Sequence, residues 1–113
     1  VIVSPVPDLG FDGPNCLSTE ANVPHWMPHH GRCETQLGAA MSPTIPELLE
    51  QAAKPYSHSG VLDLSESVCP NKTCRARIPT GIVFRDSQHL TASFVKSLAP
   101  AFERALAAAK IGH

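Results

Sequence analysis

The chain carries no excess of basic charge. Its 113 residues hold 9 Lys and Arg against 10 Asp and Glu, a formal net charge of −1. That balance leaves no electrostatic footprint for nucleic acid or an anionic membrane surface, so neither is an expected partner. The one basic run, Lys72, Arg75, Arg77 and Arg85, reads as a solvated rim; as a binding patch it would suit an anionic substrate. Long apolar runs are missing too, and nothing approaches the roughly 20 residues that a membrane span needs. Nor is any segment of residues 1–113 expected to be a signal peptide. The first residues are Val1-Ile2-Val3, a strand of buried type with no Met, polar leader or cap before it. The expectation is a piece excised or cleaved from a longer protein.

Proline, by contrast, is abundant. Its 11 copies are about twice the usual share, and the hydrophobic content of 42% lies slightly below the globular range. A chain of this length makes one domain with a modest core, here one rich in loops. The four cysteines are Cys16, Cys33, Cys69 and Cys74. Four can pair in three ways, and the spacing favours Cys16–Cys33 and Cys69–Cys74, each clipping a proline-containing segment. A closed loop of about 15 residues contributes roughly 3 kcal/mol in the chain-entropy model. Structural disulfides imply an oxidising compartment. Four thiols on one metal is the weaker reading, because no C-x-x-C pair exists.

Val1–Pro7 is an apolar run consistent with a parallel strand buried on both faces, fading at Pro5 and Pro7, which lack an N–H. Residues 8–42 show no sustained period and read as a long loop, with a short helix available at Glu34–Met41. Thr44-Ile45-Pro46-Glu47 matches a capping box with Thr44 as N-cap. Ile45, Leu48, Leu49, Ala52 and Ala53 then make an apolar helix face that Pro55 ends. Val61-Leu62-Asp63-Leu64 is a brief strand, and 65–79 a loop around the second cysteine pair. Ile82-Val83-Phe84 is the last strand. Thr91 caps a helix running to about Lys110, with Phe94, Val95, Leu98, Phe102, Ala105 and Leu106 as its buried stripe and a kink or break near Ala99 imposed by Pro100. This alternation implies an α/β fold with a parallel sheet. Three strands and two helices can hardly cover such a sheet on both faces, so the fold reads as incomplete.

The turn after the last strand holds an acid and an imidazole three residues apart, in Val83-Phe84-Arg85-Asp86-Ser87-Gln88-His89-Leu90-Thr91. On a turn, Asp86 can reach the Nδ1–H of His89, fix the tautomer and leave Nε2 free to accept a proton. A structural turn, with Asp86 bonding backbone N–H groups, is the simpler alternative for so short a match. Position favours chemistry, since ligands of open α/β sheets sit beyond the carboxyl ends of the strands. Two further constellations stand out. His25-Trp26-Met27-Pro28-His29-His30-Gly31-Arg32-Cys33 gathers three imidazoles and a thiol that could hold zinc or copper, although the spacing matches no standard site and Trp26 could instead stack on a sugar. Asp63 and Glu66 could pair for glycoside chemistry, but Asp63 reads better as the end of its strand.

The run Phe84 to Thr91, with the amphipathic helix behind it, closely resembles the C-terminal block of SGNH hydrolase-like domains. The version it resembles is fused to the multi-pass membrane acyltransferases (the acyltransferase 3 family) that O-acylate bacterial envelope glycans. Val1-Ile2-Val3-Ser4-Pro5-Val6-Pro7 and the run Val61-Leu62-Asp63-Leu64 to Cys69-Pro70 and Cys74 are similar to the same subgroup. The resemblance covers most of the chain, most weakly residues 18–42. It implies a flavodoxin-like sheet and a Ser–His–Asp triad, with His89 as general base and Asp86 as its orienting acid, and no cofactor. The family's nucleophilic Ser lies in a Gly-Asp-Ser block, and its oxyanion donors are a Gly and an Asn from two further blocks. None of these blocks occurs in the chain, and Ser87, inside the His motif and without a preceding Gly, is a poor substitute. Residues 1–113 are therefore expected to be the C-terminal part of one SGNH-like domain, inactive alone. The expected partners are the part carrying the Ser, a membrane acyltransferase domain of the same polypeptide and a glycan or acyl-ester substrate. The expected location is extracytoplasmic, in the periplasm or at the outer face of the cell membrane. The alternative function is a non-catalytic module that binds glycan or metal through the 25–33 loop.

Overall fold

Prolines and glycines interrupt this sequence so often that every strand is short. In the computed structural model, which describes residues 1–23, 26 and 33–108, β1 (Ile2–Val3) and β3 (Val61–Leu62) pair in parallel, Ile2 with Val61 and Val3 with Leu62. Ser4 N–H still donates to Leu62 O at 2.8 Å; Pro5 cannot continue the ladder. Helix α3 (Thr44–Ala53) links the two strands and packs on β3 through the side that buries Ala53. This is the small parallel α/β unit. Val1 and Val3 remain 54% and 61% exposed, so the opening run is not buried on both faces as expected; among the described residues only β3 pairs with it.

The segment Ile82-Val83-Phe84 does not join that sheet. β6 (Gly81–Ile82) pairs antiparallel with β5 (Arg77–Ile78). Only Pro79 and Thr80 separate the two, and a two-residue connection forces an antiparallel hairpin, whereas a parallel neighbour needs a long crossover. Residues 65–79 are likewise more than a loop. They contain α4 (Ser65–Val68), a 3₁₀ turn (Pro70–Lys72) and β4 (Thr73–Arg75). β4 pairs antiparallel with β2 (Glu34–Gln36), so the helix expected over Glu34–Met41 shrinks to α2 (Leu37–Ala40). Partnership with β4 outweighs the local helical pattern there, as tertiary context commonly does.

Residues 8–42 also hold α1 (Gly13–Ala21). Asp12 is its N-cap, accepting from Asn15 N–H at 2.8 Å, and Pro14 sits in the first turn, where a missing N–H costs nothing. The expected capping box at α3 is absent. Pro43 already has helical angles and becomes the N-cap position, so Thr44 falls inside the helix, and its hydroxyl bonds Ser42 Oγ at 2.9 Å. On α3, Leu48 faces solvent at 60%.

The C-terminal helix breaks as Pro100 requires. α5 (Ala92–Ser97) ends at Leu98 and α6 (Ala99–Ala108) starts afresh with Pro100 in its first turn; residues 109 and 110 lie outside the described residues. Phe94 is buried and Leu98 half-buried, while Val95, Phe102 and Leu106 stay exposed, so the stripe is covered at one end only. The core gathers Leu9, Val68, Ala76, Val83, Phe84 and Phe94 around both disulfides, Cys16–Cys33 and Cys69–Cys74. No helix among the described residues is long and apolar enough to cross a membrane.

Candidate active site

Phe84 is fully buried and anchors the segment that carries the site. Beyond it the chain makes a tight loop rather than leading straight into a helix. Phe84 bridges antiparallel to Leu90, Arg85 N–H donates to His89 O at 2.8 Å, and Thr91 N–H donates to Val83 O at 2.9 Å. The neck is thereby closed by backbone bonds, and Asp86, Ser87 and Gln88 form the tip. Thr91 then does two jobs. Its hydroxyl donates to Ile82 O at 2.6 Å and accepts from Phe94 N–H at 3.3 Å as the N-cap of α5.

The Asp86 carboxylate organises the tip. Oδ1 accepts from Gln88 N–H at 2.8 Å and His89 N–H at 2.7 Å, while Oδ2 lies 2.8 Å from His89 Nδ1. The Gln88 N–H bond is the largest influence holding the Asp86 pKa below its ordinary 3.8, at about 2; partial desolvation opposes it, and the His89 N–H and ring assist. At neutral pH the carboxylate is therefore ionised and can only accept. Nδ1 must then carry a proton, so that in the neutral ring the Nε2 lone pair is free. The side chains are 41% exposed for Asp86 and 60% for His89, so a substrate can approach the ring. The geometry joins the two readings made from sequence: Asp86 bonds the backbone of its own turn and orients His89 at once.

Two donors far away in sequence hold this tip from below. Leu9 N–H donates to Ser87 O at 2.8 Å and Gly13 N–H to Asp86 O at 3.2 Å. Gly13 fits there because a Cβ would already touch Ala76, Leu9 and Phe84 at 3.4 Å. Neither contact was legible in the sequence, since backbone donors have no residue signature; the Asp12-Gly13-Pro14 helix start was the available clue.

The other constellations separate. Asp63 Oδ1 accepts from Ser65 N–H at 2.9 Å and starts α4, which makes it a structural end to β3. Arg75 pairs with Glu34 at 3.3 Å across β4 and β2, both partly exposed, an arrangement typically worth under about 1 kcal/mol. Cys33 is committed to Cys16, so the histidine loop loses its thiol ligand; His25, His29 and His30 lie outside the described residues. Among the described residues no three His, Cys, Asp or Glu side chains are grouped to hold a metal. Trp26 is 80% exposed. An open cleft of about 810 Å³ is lined by α3, the segment 54–63 and two residues of α6, and not by Asp86 or His89.

An ionised Asp orienting a His on an exposed loop beside an α/β unit is an arrangement able to accept and pass on a proton. The family model described as SGNH domain (fused to AT3 domains) matches residues 1–104, and the chain belongs to that family. No curated protein and no solved structure matches it. Membership makes this an acyl-transfer or esterase type of domain.

Proposed function

We propose that this chain supplies the base and the orienting acid of an SGNH-type site that moves O-acyl groups, acetyl above all, on cell-envelope glycans. The observation that carries the reading is the 2.8 Å contact between Asp86 Oδ2 and His89 Nδ1, which leaves Nε2 as an exposed base. The nucleophilic Ser comes from a Gly-Asp-Ser block that this sequence does not contain. In the assembled site His89 Nε2 takes the Ser Oγ proton as oxygen attacks the acyl carbon, and Asp86 stabilises the imidazolium. The same proton passes to the departing alcohol oxygen as the ester bond breaks, leaving an acyl-Ser. A sugar hydroxyl or water then takes the acyl group by the reverse proton path. Without nucleophile and oxyanion donors, Asp86 and His89 cannot complete this cycle, so the 113-residue chain alone is expected to be inactive. The two disulfides and the fusion partner of the family support a location outside the cytoplasm, tethered by a membrane acyltransferase domain.

The test is His89→Ala in a polypeptide that contains both this chain and the Gly-Asp-Ser block, assayed with a small acetyl ester. Loss of general-base catalysis is worth about 10²–10⁴-fold or more where the base activates a nucleophile, so turnover should fall to background. An active variant removes His89 from the mechanism.

A further inference from the structure

We propose that the Cys16–Cys33 disulfide is a positioning element for the Asp86/His89 loop, holding the strut on which that loop rests. The inference builds on the reading of Asp86 and His89 as acid and base. The strut is the segment 9–13. It reaches the loop through Leu9 N–H to Ser87 O and Gly13 N–H to Asp86 O, the second of these on the very residue that orients the imidazole. Its other side is tied by Thr35 Oγ1 donating to Leu9 O at 2.7 Å. From Gly13 the strut runs into α1, where Cys16 lies in the first turn and is bonded to Cys33.

Cys33 returns the path to the loop. Its carbonyl accepts from Ala76 N–H at 2.9 Å, the Ala76 carbonyl accepts from Val83 N–H at 2.9 Å, and Val83 O accepts from Thr91 N–H at the neck of the loop. Loop, strut, α1, disulfide, Cys33, Ala76 and Val83 thus form a closed circuit. Besides the apolar packing of Leu9, Ala76, Val83 and Phe84, the links between its separate segments are hydrogen bonds, and the disulfide is the covalent one. α1 buries little of itself: Gly13, which has no side chain, is its one fully buried residue, and its apolar contribution to the core is the partly buried Cys16 and Leu17. A nine-residue helix held so lightly is below the length that is stable alone in water. Cutting the covalent link therefore frees α1 to fray, and with it the Gly13 donor under Asp86, while Leu9 stays anchored by its burial in the core and by Thr35. The loop keeps its neck bonds but loses the floor beneath the residue that orients the imidazole.

The experiment is nuclear magnetic resonance on the isotope-labelled 113-residue chain, wild type against Cys16→Ala/Cys33→Ala. Two signals are read: the ring nitrogen shifts of His89, which report the tautomer, and the acid titration of the Asp86 carboxyl. In the wild type the Nδ1–H form is expected to dominate in the neutral ring, and the Asp86 midpoint is expected below 3.8, near 2. In the double variant the midpoint rises toward 3.8 and the tautomer moves toward the free-imidazole mixture, while Val83 and Phe84 amides keep their positions. A folded variant with both signals unmoved overturns the proposal. Where the double variant does not fold, Thr35→Val decides: it removes the bond to Leu9 O with little change of volume and should move both signals the same way by less. Unmoved signals in that variant also overturn it. Neither signal depends on turnover, so an unexpectedly active His89→Ala enzyme would refute the functional reading and leave this geometric one to its own test.

Discussion

Replacing Asp86 with Asn tests whether the carboxylate sets the chemistry of His89 or only the shape of its turn. An Asn Oδ1 can still accept from the Gln88 and His89 N–H groups, now at 2.8 and 2.7 Å, so the loop should survive. The atom that changes is the one 2.8 Å from Nδ1. An amide nitrogen there donates, Nδ1 must accept, and the ring proton is driven to Nε2. The base is then protonated on the atom that should take the Ser proton. The same exchange in a serine-protease triad costs about 10⁴ in turnover through the wrong tautomer, and a loss of that order is expected in a polypeptide carrying the Gly-Asp-Ser block. The variant also removes an acid dependence. Asp86 is depressed from 3.8 to about 2 in the fold, so its contribution to stability is full above 3.8 and is lost as pH falls through about 2. Urea unfolding between pH 5 and pH 2 should show this loss in the wild type and a smaller one in Asp86→Asn. The assays are ring ¹⁵N shifts and acetyl-ester turnover. An Nδ1–H tautomer that persists in Asp86→Asn, or turnover within about tenfold of wild type, refutes the reasoning, since each tenfold is only about 1.4 kcal/mol.

Two stability predictions follow from the elements beside the loop. Phe84→Ala empties a site with no solvent exposure at the base of the loop that carries Asp86; a loss of about 3–5 kcal/mol is expected, a large share of the 5–15 kcal/mol typical of a domain. Urea unfolding measures it, and a loss below about 1 kcal/mol would show that Phe84 packs loosely. Thr91→Ala removes both the cap of α5 and the bond to Ile82 O. About 1–2 kcal/mol is expected, read as a lower thermal midpoint, with Thr91→Ser recovering most of it because the hydroxyl is kept.

Local chemistry was legible wherever neighbours in sequence decide it. Asp86 and His89 are three apart and their contact is made within their own turn, so a sequence pattern was enough to pair them. The broken helix at Leu98 follows from Pro100 alone, and the disulfide pairs join cysteines 17 and 5 residues apart, the short-loop solution. Pairing partners were not legible. Glu34-Thr35-Gln36 is ambiguous by itself and becomes a strand only because Thr73-Cys74-Arg75 lies beside it. Gly10, Gly13 and Pro14 look like loop punctuation, yet the last two open a helix once Asp12 caps it.

By itself the sequence determined the α/β class, the family, and the acid–imidazole pair, because all three rest on residue types at short or motif spacing. The tertiary structure alone decided which strands pair and what lies under the loop. Gly81-Ile82 pairs with Arg77-Ile78 instead of joining the parallel pair, and the two-residue Pro79-Thr80 connection makes that hairpin antiparallel. The floor beneath Asp86 is made of Leu9 and Gly13 N–H groups more than 70 residues away. Every non-proline residue owns such a donor, so only the fold can say which two are used.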